Sequence, residues 1–271
     1  PDFVPVLNYD AIHAFMDRCA PPWILKPRSE ASAVGLKKIY EPEMLWRTLD
    51  ELGDRQSYFL LEEFVPGNVY HVDALVNEGI VTFAEVHGYL NPPFEVMHDG
   101  GIFASRTLGR NAGEAATCRA INEQLIESLG MVRGAVHTEF IRGAADGAFY
   151  FLETAARVGG ANIAEMVEAA TGVNLWREWA KIEIADARHE PYDPPTPRRD
   201  YAGILASLAR QEWPDLSAYQ DDEIVWRMKK KHHAGLIVRA DNPGRVDALL
   251  DDYLHRFPEA FHASMPAPGI A

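Results

Sequence analysis

Two glutamates, Glu139 in AVHTEFIR and Glu153 in AFYFLE, are the sharpest chemical feature of this chain. The GAADG segment between those runs has hairpin-loop composition. A loop centred on Ala145 sets Glu139 opposite Phe151 and Glu153 opposite His137. Side chains of one parity share one face, so the carboxylates become diagonal neighbours pointing the same way. Hard oxygen ligands fixed on a sheet suit Mg²⁺ bridging phosphate groups, and two carboxylates among apolar residues are costly to bury without a cation. The spacing equally serves a solvated outer face, and a slip of one residue sends the glutamates to opposite sides.

Arg157 follows Glu153 by four residues in ETAARVGGAN, where Gly159 and Gly160 leave room for another group beside the backbone. A guanidinium there can clamp a carboxylate, neutralise a transferring phosphoryl group, or pair with one of the glutamates. Lys26 ends the apolar run WILK just ahead of a small polar loop, RSEASAVG. That arrangement serves phosphate binding and also describes an ordinary strand-end lysine. Glu62 and Glu63 lie in LLEEFVPG, whose strand edge can offer backbone groups to a purine or expose two carboxylates. His87 and His98, around the loop NPPFEVMHDGG, are candidates to meet a substrate, and KKKHH at 229–233 reads as a solvated charge run.

These groups need a scaffold, and the composition describes one. Hydrophobic residues at 47% and charged residues at 24% fit a globular chain of one to two domains. The net charge of −14 argues against nucleic acid and anionic lipid as partners. No run approaches the ~18 apolar residues of a membrane helix. Two cysteines, Cys19 and Cys118, without pairing or metal spacing suggest a reducing cytoplasm. Opening on Pro-Asp, the chain reads as part of something longer. A first helix capped by Asp10 leads to the WILKP strand, and the pattern predicts a helix closing on Gly53. SYFLLEEFVPG, YHVDALVNEG and IVTFAEVHGYL read as a three-stranded meander. A helical stripe of Cys118, Ile121, Leu125 and Leu129 follows, then the glutamate hairpin and two helices, the second capped by Asn174. A Pro-rich linker, 191–199, separates residues 1–190 from a C-terminal subdomain, 200–271, of three strands and a final helix.

The order of these parts over roughly residues 1 to 185 resembles the ATP-grasp family: a Lys-ended strand with a small-residue loop, an EE-F-V-x-G strand, a TEF strand, a FLET strand and then R-x-G-G. The resemblance implies an α+β fold in which two lobes with antiparallel sheets grip ATP. It implies a ligase that activates a carboxylate as an acyl phosphate for attack by an amine, with ATP and Mg²⁺ as cofactors. On that resemblance Lys26 touches the α and β phosphates, and the loop carrying Ser29, Ser32 and Gly35 closes over them. Glu62, Glu63 and Val65 form the adenine hinge, with His71 or Asp73 near the ribose. Glu139 and Glu153 hold Mg²⁺, Arg157 faces the transferring phosphoryl group, and Arg106 faces the substrate cleft. ETAAR resembles the amino-acid ligase branch, with Ala155 where most members place an Asn ligand. The family's N-terminal α/β domain is expected upstream of Pro1, and a homodimer stays open. A bicarbonate-using enzyme and a non-catalytic ATP-binding module are the alternative readings.

Overall fold

The computed structural model describes residues 1–30, 34–96 and 101–263 and builds them on two antiparallel sheets. The smaller has the order β1 (Phe3–Pro5), β4 (Phe59–Glu63), β2 (Trp23–Pro27), β3 (Lys37–Ile39). Helices α1 (Tyr9–Arg18) and α2 (Pro42–Leu52) cover it, because their apolar stripes meet the alternating apolar residues of β2 and β4. Ile12, Phe15, Leu45 and Leu49 thereby pack with Trp23, Leu25 and Leu61 in one core. The cap of α1 is Asn8, whose side chain accepts from Ala11 N–H at 3.0 Å, where Asp10 was expected; Asp10 lies inside the first turn.

The larger sheet has eight strands. Its first part is β5 (Gly67–Asn77), β6 (Ile80–Tyr89) and β7 (Phe103–Thr107), followed by β8 (Gly134–Gly143) and β9 (Phe149–Ala155). Its last part is β10 (Tyr201–Leu208), β11 (Ile224–Arg227) and β12 (His233–Ala240), in the overall order β11-β12-β10-β7-β6-β5-β8-β9. The expected three-stranded meander is therefore split. Its first member, β4, pairs in the small sheet, and the irregular residues 64–66 carry the chain across to β5.

Alternation on the large sheet assigns its two faces. Leu75, Ala135, Ala202 and Ile237 pack under α5 (Ile163–Thr171) and α6 (Leu175–Arg188), the latter capped by Asn174 as its sequence predicts. On the other face, Val72, Ala74 and Phe140 meet α4 (Gly113–Leu129). There Ala115, Cys118, Asn122 and Ile126 are buried, while Leu129, the last residue of the expected stripe, is exposed. The residues after the Pro-rich stretch are built onto this same sheet. Strand β10 pairs along β7, and α7 (Pro243–Ala260) packs on β10 and β12 through Val246, Leu249, Leu250 and Tyr253. Leu250→Ala should accordingly lower the unfolding free energy by about 2 to 5 kcal/mol in a urea titration. A loss below about 1 kcal/mol would show the final strands to be loosely attached.

Candidate active site

A cleft of about 1180 Å³ lies between the small sheet and the face of the large sheet that carries α5. Ile24, Lys26, Lys38, residues 64–66 and Gly67 line one side. His137, Glu139, Ile141, Glu153, Arg157 and Gly160 line the other, with Tyr89 and Phe103.

The glutamates reach this cleft by a register different from the expected one. Near the turn Phe140 pairs with Phe151 and Ile141 with Tyr150; the register then shifts, and Glu139 pairs with Glu153 itself. The cause is a bulge that leaves Leu152 as an extra residue on β9. Without it Glu139 would sit opposite Leu152, and the two carboxylates would point to opposite faces. Placed directly across from each other, they form a like-charge pair. Glu153 is held above the ordinary glutamate range by the desolvating cleft wall and then by the charge of Glu139. Lys26, His137 and Arg157 offset this only in part. Such a pair, with one member buried and the other open to the cleft, suits a hard divalent cation.

The bulge also gives Lys26 its place. Its ammonium donates to the Leu152 carbonyl at 3.0 Å and pairs with Glu62 at 2.8 Å, tying the small sheet to the large one. Glu62 thus spends its carboxylate on Lys26 and is pushed up by burial. Glu63 and Val65 line the cleft beside Phe64, over whose ring the Lys38 ammonium sits at 3.5 Å. Gly35 lines the cleft with φ +76°, a conformation that favours glycine. Ser29 is exposed and outside the lining, and Ser32 and His98 lie outside the described residues.

Three expectations are corrected. His71 and Asp73 pair with Glu139 and His137 and share their face, but Tyr89, His137 and Gly159 cover them completely, so neither can touch a ribose. His87 is buried there too, its ring stacked on His71 at 4.8 Å, so it meets no substrate. Arg106 points to the opposite face of β7 and pairs with Asp247 of α7 at 2.8 Å, away from the cleft. Arg157 lines the cleft and donates to the Val158 carbonyl at 2.9 Å; among the described residues it pairs with neither glutamate. Of the two glycines behind it, only Gly160 faces the cleft. A Cβ on Gly159 would stand 2.8 Å from Asp73 Oδ1 and 2.9 Å from His137 Nδ1.

Beneath Glu139 runs a polar chain that the sequence reading did not assemble. Asp73 accepts from His71 Nδ1 at 2.7 Å and from His137 Nδ1 at 2.9 Å, and His71 Nε2 meets Ser105 Oγ at 2.7 Å. His137 Nε2 lies 3.3 Å from Glu139 Oε1, to which Tyr89 O–H donates at 2.6 Å. A carboxylate only accepts, so His137 between two carboxylates carries protons on both nitrogens. Burial works against that charge, but Asp73 and Glu139 outweigh it and raise the His137 pKa to about 10. Burial likewise opposes charge on Glu139, yet the His137 and Tyr89 hydrogen bonds hold it below its ordinary range. Burial holds the His71 pKa below its ordinary range, although Asp73 works the other way. The signal was legible as H-x-D and H-x-E on strands otherwise apolar, which puts each pair on one face.

A sequence profile of the ATP-grasp domain matches residues 19–165. The chain is similar to an L-arginine-specific L-amino acid ligase of Bacillus subtilis, 25% identical over 189 residues, with 68% of this chain and 45% of that protein covered. It is also similar to a D-alanine–D-alanine ligase of Neisseria gonorrhoeae, 25% identical over 196 residues, covering 70% and 62%. The match thus spans between about half and three fifths of these relatives. Among solved structures, N5-carboxyaminoimidazole ribonucleotide synthetase of Thermus thermophilus superposes with a TM-score of 0.70 at 18% identity, over 98% of this chain and 69% of that one.

The raised Glu153 has a consequence for stability. Above pH 4.5 the folded chain keeps a proton that the unfolded chain has released, so unfolding sheds it and ligand-free stability is lost as pH rises through this window. Glu153→Gln removes that loss. Thermal midpoints of the variant should gain on the parent as pH rises from 4.5, and parallel curves would mean that Glu153 is not raised in the folded chain.

Proposed function

The chain belongs to the ATP-grasp family, and from that premise we propose that it is the nucleotide-gripping part of a cytoplasmic ligase that activates a small carboxylate as an acyl phosphate for attack by an amine. The observation that carries this reading is the pairing of Glu139 with Glu153 across one cleft wall, facing Lys26 from the other sheet. Residues 64–66 and Phe64's ring would hold the base, and Lys26 would exchange its contact with Glu62 for phosphate oxygens. Mg²⁺ bound by Glu139 and Glu153 would neutralise phosphate charge. A substrate carboxylate oxygen then attacks the γ phosphorus, and ADP leaves. The amine attacks the acyl carbon, phosphate leaves, and the amine gives up a proton. Arg157 is placed to offset charge developing on the transferring group, in a site whose main task is positioning.

The side-chain wall of Tyr89, Phe103 and Ile163 favours an acyl substrate with an uncharged side chain, since a charged one would be desolvated there without a partner. Two buried free thiols agree with a reducing cytoplasm, and among the described residues no helix is long and apolar enough to cross a membrane.

Mg²⁺-dependent ADP release across a panel of amino acids tests the reading. Arg157→Ala should lower turnover by about 10²- to 10³-fold while nucleotide affinity stays within a few fold. Equal losses in both would make Arg157 a ground-state nucleotide contact. Glu139→Gln should abolish Mg²⁺-dependent ADP release, and ADP release that ignores both substitutions would refute the assignment.

A further inference from the structure

We propose that Tyr89, His137 and Asp73 are positioning residues that dictate which carboxylate oxygen Glu139 offers to a divalent cation. The proposal rests on the reading of Glu139 as a metal ligand given above. Both hydrogen bonds to this carboxylate, from Tyr89 O–H and from His137 Nε2, fall on Oε1. The oxygen those bonds leave alone is Oε2, so the cation is met by one chosen atom rather than by a carboxylate free to rotate.

The orientation is enforced from behind. His137 cannot swing its ring, because Asp73 Oδ1 holds Nδ1 at 2.9 Å. Asp73 cannot turn either, since its other oxygen is held by His71, whose far nitrogen meets Ser105. Residues from β5, β6, β7 and β8 thus converge on one oxygen, and the side chains behind Glu139 are buried at 0–5% exposure apart from the half-buried ring of Tyr89. Gly159 closes the arrangement: its missing side chain is the space into which Asp73 and His137 fit. Because Gly159 is two residues from Arg157, the same contact fixes the segment that carries the arginine. One buried network therefore sets the distance between the metal ligand and the guanidinium. Orienting groups of this kind behind a ligand are worth about 10- to 100-fold in metal affinity.

The test is Mn²⁺, an EPR-visible stand-in for Mg²⁺, titrated into the chain with saturating ADP. Tyr89→Phe keeps the ring and removes only the hydroxyl; Asp73→Asn keeps the shape and withdraws an acceptor. Each should raise the Mn²⁺ dissociation constant by about 10-fold or more. For Tyr89→Phe, ADP affinity in EDTA and the thermal midpoint without ligand should stay close to the parent's, a split that a merely structural role would not produce. Unchanged Mn²⁺ affinity in Tyr89→Phe overturns the proposal, and so does an equal loss of metal-free ADP affinity. Should Asp73→Asn fail to fold, Tyr89→Phe decides alone. A parent chain that binds ADP but no Mn²⁺ would instead overturn the reading of Glu139 and Glu153 as metal ligands, and with it this inference.

Discussion

Two carboxylates set face to face by strand pairing repel each other, and much of this structure is arranged around that repulsion. Backbone hydrogen bonds fix β8 to β9, so Glu139 and Glu153 cannot drift apart without breaking the ladder. The protein instead surrounds them with charge of the opposite sign: imidazolium below Glu139, ammonium from the small sheet beside the bulge, and guanidinium beyond β9. The two glutamates answer differently because their surroundings differ. Glu139, with two donors on one oxygen, stays anionic although buried; Glu153, without them, is pushed upward. A cation shared by both would relieve the second without disturbing the first.

A single inserted residue makes the pairing possible. The turn after β8 closes with Gly147 at φ +68° and Asp146 capping Ala148 N–H, and that geometry alone imposes a register that would separate the glutamates. Leu152 corrects it. The bulge simultaneously frees a carbonyl from the ladder, and Lys26 takes it, so one irregularity aligns the acids and attaches the small sheet's lysine to the large sheet. Bulges next to reactive groups are devices for re-aiming side chains, and here two consequences follow from one residue.

Sequence patterning made the elements legible because apolar periodicity acts locally: α5, α6, α7 and the strands around them follow from spacing alone. Partnership between distant strands is not local, which is why β4 was read into a meander with β5 and why β10 was read as the start of a separate subdomain. The cleft was legible where a charged residue interrupts an apolar strand, as for Glu139 and Glu153, or ends one, as for Lys26. It was illegible where burial decides the role. His71 and Asp73 have the chemistry of ligand contacts and the parity of the cleft face, but Tyr89, His137 and Gly159 cover them, which strand spacing does not reveal. Arg106 fails for a different reason, one residue of parity turning it toward α7.

The cleft's charge has to be set against that of the chain. At −14 the whole molecule repels a polyanion, yet the described cleft lining sets Lys26, Lys37, Lys38, Arg55, Arg157 and the His137 imidazolium against Glu51, Glu62, Glu63, Glu139 and Glu153. Attraction over long range is therefore weak, and a nucleotide gains little until it is inside. Once there it would meet cations from the small sheet and Arg157 on its flanks, and the Glu139–Glu153 pair on the floor. A bare triphosphate would be repelled by that floor. One arriving with a divalent cation would turn that repulsion into ligation, so the acidic pair would favour a metal-bearing nucleotide over a naked one. In this arrangement the charge that destabilises the empty cleft is the charge that would hold a cation.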